Sequence, residues 1–105
     1  MKKISGALGA LLLMSVPAAG QGSSQIASQL GNVLASEEPC GLTYDQAAIE
    51  AFIDKNVKPS DLDFASELSM MTTGKAYMIK KMTPSALTAH CTQIKRTAKT
   101  YKFIP

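Results

Sequence analysis

The stretch Thr83 to Tyr101, TPSALTAHCTQIKRTAKTY, constrains the fold most. Thr83 is a good N-cap, and Pro84 stands at the first helical position, where a missing N–H costs nothing. Leu87, Cys91, Ile94, Ala98 and Tyr101 recur at spacings of four, three, four and three. They therefore share one helix face, the one to be buried. Lys95, Arg96, Lys99 and Lys102 crowd the last two turns, where cations suit the negative end of the helix dipole. The buried face carries one of only two cysteines. The rest of the working chain is expected to pack on this helix and to be stapled to it through Cys91.

The start of the chain predicts export. Lys2 and Lys3 precede an uncharged, mostly apolar run of thirteen residues, Ile4 to Val16, and then small residues, Pro17-Ala18-Ala19-Gly20. This is the layout of a secretory signal peptide over residues 1–20, cleaved after Gly20 or Ala18. The run falls short of the roughly 18 to 20 residues that span a bilayer, which disfavours an uncleaved anchor. The compartment implied is the periplasm, with full secretion as the alternative.

Removing residues 1–20 leaves about 85 of the 105, one domain at most. A single core of that size is marginal, so a covalent staple matters. Two cysteines in an oxidising compartment are expected to pair as Cys40–Cys91; two free thiols or a bridge between chains are the alternatives. Closing that loop would stabilise the fold by roughly 4 kcal/mol in the chain-entropy account.

Residues 21–38 read as a flexible arm able to form a short docking helix. Ile26, Leu30, Val33 and Leu34 have helical spacing, but Gly31 interrupts them, and Glu38 before Pro39 ends the segment. Residues 39–105 read as a single helical domain. Thr43 with Gln46 forms a capping box for a helix whose stripe is Ile49, Phe52 and Ile53, with Ala48 on its edge. Asn56 is its expected C-cap, and Pro59 stops it. Ser60 with Asp63 opens a third helix with Leu62, Ala65, Leu68 and Met70 or Met71 buried, and Thr72-Thr73-Gly74 loosens or ends it. Lys75 to Met82 is a shorter piece carrying Ala76, Met78, Ile79 and Met82. Phe103 or Ile104 is expected to fold back on the core. With no alternating β-branched run and no hairpin signal, the fold class is all-α: four or five short helices in a small orthogonal bundle stapled by one disulfide.

Charge is segregated along the chain. All eight acids lie between Glu37 and Glu67, whereas residues 68–105 hold seven bases and no acid. The plain reading is two solvated faces whose exposed pairs contribute about 0 to 1 kcal/mol each. The functional reading is a binding surface of Lys80, Lys81, Lys95, Arg96, Lys99 and Lys102 for anionic lipid headgroups, cell-wall polymer or an acidic protein. Nucleic acid is not an expected partner, because without Lys2 and Lys3 the charges nearly balance and the basic half offers few aromatics for stacking. As pH falls through about 4, carboxylates as a class lose their charge and the chain becomes strongly cationic, so the helices should loosen while the staple holds.

Catalytic and metal signals are weak. His90 is the only histidine, and Cys91 beside it points about 100° away on a helix. No His-x-x-His, Cys-x-x-Cys, Gly-x-Ser-x-Gly or glycine-rich phosphate loop is present. Neither an enzyme nor a cofactor is expected. Met70, Met71, Met78 and Met82 read first as adaptable core fillers, then as a partner groove, and last as Cu(I) ligands.

One resemblance follows from these residues. With an export signal, Cys40, the Thr83-Pro84 helix start and Cys91-Thr92-Gln93, the chain resembles the small periplasmic acid-stress chaperones of the HdeA type. The resemblance implies a helical periplasmic protein with Cys40–Cys91 as its disulfide, dimeric near neutral pH. In acid it would dissociate, partly unfold and bind denatured clients. The chain departs from the family in having no Trp before the first cysteine and no long Lys-rich tail after the last helix. The Thr-Pro to Cys spacing is also one residue longer. A separate family of exported bacterial helical proteins with a similar framework is the other reading. The expected function is therefore non-enzymatic binding in the periplasm, as an acid-activated chaperone or as an envelope-binding or inhibitory module.

Overall fold

The computed structural model describes residues 22–105; the signal peptide assigned to residues 1–20 lies outside the described residues. Four helices and no strand make up the described residues: α1 Ser23–Ala35, α2 Gln46–Asn56, α3 Phe64–Lys80 and α4 Pro84–Thr100. The all-α class and the single staple, Cys40–Cys91, are as expected.

The centre of the fold is α1, not the arm expected over residues 21–38. Ala27 and Leu30 are 0 % exposed, and Ile26, Val33 and Ala35 are buried with them. Isolated, thirteen residues would be a marginal helix. Here packing of one side against α3 and the core supplies what propensity does not. Gly31, which looked like a break, is where α1 and α3 cross. A Cβ there would come within 2.9 Å of the Met71 Cβ and 3.1 Å of the Thr72 backbone nitrogen. Only glycine lets the two backbones approach so closely, and α1 against α3 is the most extensive helix–helix contact of the fold.

Helix α2 starts differently from the capping box expected at Thr43 and Gln46. Asp45 is the N-cap, its carboxylate accepting from the Ala47 and Ala48 N–H groups at 2.9 and 3.3 Å. Ala48, Ile49, Phe52 and Ile53 lie half-buried against the core, as the stripe predicted. Asn56 is the last helical residue rather than the cap, and its side-chain amide donates to the Phe52 carbonyl.

Helix α3 is continuous where Thr72-Thr73-Gly74 was expected to loosen it. The Thr72 hydroxyl donates back to the Leu68 carbonyl at 2.7 Å, which satisfies the hydroxyl inside the helix. Two positions expected in the core are outside it: Leu62 precedes the helix and is 86 % exposed, and Ala65 is exposed. Phe64, the first helical residue, is buried in their place.

Helix α4 begins as its sequence requires. The Thr83 hydroxyl accepts from the Ala86 N–H, and Pro84 occupies the first turn. Ile94 and Ala98 are buried, with Leu87, Cys91 and Tyr101 half-buried beside them. The helix ends in a Schellman turn: Phe103 N–H donates to the Ala98 carbonyl, Lys102 N–H to that of Lys99, and Lys102 takes the left-handed conformation at φ 66°. That turn folds Phe103 back until it is 1 % exposed. Its ring packs at centroid distances of 5.5, 5.9 and 5.4 Å from Tyr44, Phe52 and Tyr101. This aromatic cluster joins α2 to the end of α4, and the Asp45 N–H donating to the Phe103 carbonyl closes it.

Candidate functional site

The outer face of α3 is the first candidate. At about 100° per residue, Leu68, Met71, Thr72 and Ile79 fall on the side toward α1, and Met70, Gly74, Tyr77 and Lys81 fall opposite. Met70, Tyr77 and Met78 are 66, 61 and 60 % exposed. Together with Leu62 they are the large hydrophobic residues that the described fold leaves in solvent. Met78 and Met70 are thus not core fillers, whereas Met71 and Met82 are half-buried. The Lys81 ammonium lies 4.6 Å from the Tyr77 ring centroid and borders the face at its C-terminal end. Gly74 sits in its middle, and a Cβ there would meet nothing. Thioether side chains are polarisable and conformationally adaptable, so such a face can fit varied apolar partners.

The basic residues form two groups rather than one strip. All six are exposed. Lys80 and Lys81 stand at the C-terminal end of α3, just before Pro84. Lys95 and Lys102 lie roughly 16 and 27 Å from Pro84 along the α4 axis, by helix rise. Lys80 lines a cleft with Glu37 and Glu38, so its surroundings are mixed in charge. Lys99 and Lys102 border an open cleft of about 680 Å³ that also contains Asp45. Lys102 and Lys55 flank a second cleft, floored by Phe52 and Tyr101.

His90 sits half-buried beside a cleft of about 360 Å³ lined by Gln29, Asn32, Gln93 and Tyr101. Its Nε2 is 2.8 Å from the Ser36 hydroxyl. That hydroxyl donates its one proton to the Asn32 carbonyl at 2.7 Å, so the imidazole must donate Nε2–H to Ser36. A serine nucleophile requires the opposite polarity and an accessible oxygen, whereas Ser36 is 0 % exposed. The pair is a tie, and it lies beside another. Cys40 N–H donates to the Ser36 carbonyl, and Cys91 follows His90, so hydrogen bond and disulfide join the same two segments.

Tyr44 is held for structure in the same way. Its hydroxyl donates to the Val33 carbonyl at 2.8 Å, and Glu37 accepts from its backbone N–H at 2.7 Å. Burial, and then the Glu37 charge, push the phenol up to about 12. Among the described residues no cluster of three or more His, Cys, Asp or Glu side chains could hold a metal ion.

The methionines were expected first in the core and second in a partner groove; Met70 and Met78 lie outside the core. The signal was partly present: Phe64, Leu68, Met71 and Ile79 already fill one face, so Met70 and Tyr77 are surplus, whereas Met78 follows Met71 by seven residues and periodicity does not separate the two. Disulfides of this kind persist in oxidising, exported environments, and no helix among the described residues is long and apolar enough to cross a membrane. Compared with protein-family models, curated proteins and solved structures, the chain gives no match.

Proposed function

We propose that this is a small, non-enzymatic periplasmic binding protein that holds apolar stretches of unfolded polypeptide on the outer face of α3. The observation that carries the reading is the grouping of Met70, Tyr77 and Met78 in solvent on one helix, with Leu62 at its start. A monomeric fold gains nothing from that exposure, whereas a surface that takes many apolar sequences needs adaptable side chains held open.

Acid is the proposed trigger. Two carboxylates tie separate segments of the fold, Glu37 accepting from Tyr44 N–H and Glu67 from the Ser24 hydroxyl at 2.8 Å between α1 and α3, and Asp45 caps α2. Acid that neutralises the carboxylates as a class leaves the seven bases of residues 68–105 without counter-charges. The disulfide keeps the loosened helices together. The test is light scattering from a denaturing client at pH 2 to 3. Suppression by the protein, lost in M70K/M78K, supports the reading; no suppression removes it.

The second reading is an envelope-binding or inhibitory module. It is favoured by exposed Lys95, Arg96 and Lys99 on the second half of α4, with exposed Lys102 just past its end. It predicts salt-sensitive sedimentation with anionic vesicles or cell-wall polymer, abolished by reversing those four charges.

A further inference from the structure

We infer that the cleft between the ends of α2 and α4 binds a small free carboxylate with an aromatic body. The inference goes beyond both functional readings, since it needs neither the α3 face nor a polymer. The cleft holds about 470 Å³, within the roughly 300 to 1,000 Å³ of small-molecule sites. Its floor is the pair of half-buried rings Phe52 and Tyr101, whose centroids are 4.5 Å apart. On the α2 side, exposed Ala51 is too small to cover them. Lys55 and Lys102 border the cleft, one from each helix end, and among the described residues no acid lines it.

The polar side chains around it are donors. Besides the two ammonium groups there is the Asn56 amide, which gives one proton to the Phe52 carbonyl at 2.8 Å and keeps a second. The Thr100 hydroxyl proton is committed to the Arg96 carbonyl at 3.1 Å. Two cations beside an apolar floor select an anion with an apolar body and disfavour an amine. The neighbouring cleft of Lys99 and Lys102 is not equivalent, because Asp45 lines it. Lys102 supplies an independent observation. Among the described residues it is the non-glycine residue with positive φ, at 66°. The turn that ends α4 favours glycine at this position. A lysine there sets an ammonium beside the cleft despite backbone strain, the pattern of a position held for its side chain. A carboxylate facing the lysines and a ring on Phe52 and Tyr101 would use both halves of the cleft.

The test is NMR titration of the processed, disulfide-intact chain with 3-phenylpropionate at neutral pH, with 3-phenylpropanamide as the neutral control. The Phe52 and Tyr101 ring signals should shift saturably, with a Kd of about 1 mM, as suits a small ligand in an open cleft. The amide should bind about tenfold more weakly, and added salt should weaken the acid but not the amide. Lys55→Gln and Lys102→Gly should each weaken the acid about threefold, and the two together about tenfold. Lys102→Gly should not lower the thermal midpoint, because glycine suits the left-handed turn, so its loss of binding is not a loss of fold. Equal binding of acid and amide, unchanged affinity in K55Q/K102G, or no saturable shift up to about 20 mM would overturn the inference. So would tighter binding of the tripeptide Gly-Gly-Phe, which would make the occupant a chain terminus rather than a small acid.

Discussion

Ser36 and His90 are hydrogen-bonded across 2.8 Å at the point where α1 ends against the middle of α4, and four residues beyond Ser36 the chain is covalently joined to the residue after His90. The junction orders the loop 36–42, which connects the central helix to α2. Ser36→Ala removes the acceptor of a half-buried imidazole N–H. It should lower stability by about 1 to 2 kcal/mol, read as a lower urea midpoint at unchanged slope. An unchanged midpoint would mean that water replaces the hydroxyl without loss.

The disulfide acts mostly on the unfolded chain. It closes a loop of sequence separation 51. Replacing both cysteines by alanine should therefore cost about 4 kcal/mol in the chain-entropy account. A double variant that keeps most of its thermal midpoint would show that packing around α1 suffices alone.

The two helical glycines of opposite surroundings should respond with opposite sign. Gly31→Ala forces a Cβ to within 2.9 Å of Met71 at the α1–α3 crossing, and overpacking of this kind costs roughly 1 to 3 kcal/mol. Gly74→Ala meets nothing and gains helix propensity of about 0.5 to 1 kcal/mol. Paired denaturation curves check both at once; a shift in the same direction for the two would contradict the assigned crossing.

Tyr44 makes the alkaline limb of stability informative. Its phenol is raised from the ordinary 10 to about 12, chiefly by burial. Below pH 10 both folded and unfolded chains hold the proton, and its contribution is complete. Between pH 10 and 12 the unfolded chain ionises while the folded one cannot, so stability falls, by about 2 kcal/mol at roughly 1.4 per unit. Tyr44→Phe should flatten that decline and also cost about 0.5 to 1.5 kcal/mol at pH 7, because the Val33 carbonyl loses one of its two donors and keeps the Ser36 N–H. Absorbance titration should show an ionisation near pH 12 that Tyr44→Phe removes.

What could be read in advance was what local chemistry decides. Thr83 and Pro84 fix the start of α4, the stripe through Cys91 and Ile94 fixes its inner face, and two cysteines leave one intramolecular pairing. The return of Phe103 was also legible, as an apolar residue just past a helix end. The errors lay where distant packing overrides local preference. Gly31 and Thr72-Thr73-Gly74 looked like breaks, yet the α1–α3 contact holds both helices through them. Asp45 displaced Thr43 as cap because both are competent and the backbone tie from Asp45 to Phe103 selects the later start. Met70 was legible as outward, because Phe64, Leu68, Met71 and Ile79 share the other face; Met78 was not, because it lies in register with Met71. The basic residues were grouped by sequence, whereas the length of α4 sets them at its two ends.

The central claim is that Met70 and Met78 are the contact surface. It is tested most directly by methyl-methionine NMR during titration with an unfolded client at low pH. The account predicts broadening or shifts at Met70 and Met78, with Met71 and Met82 responding less. Signals from Met70 and Met78 that stay fixed while the client binds would contradict it.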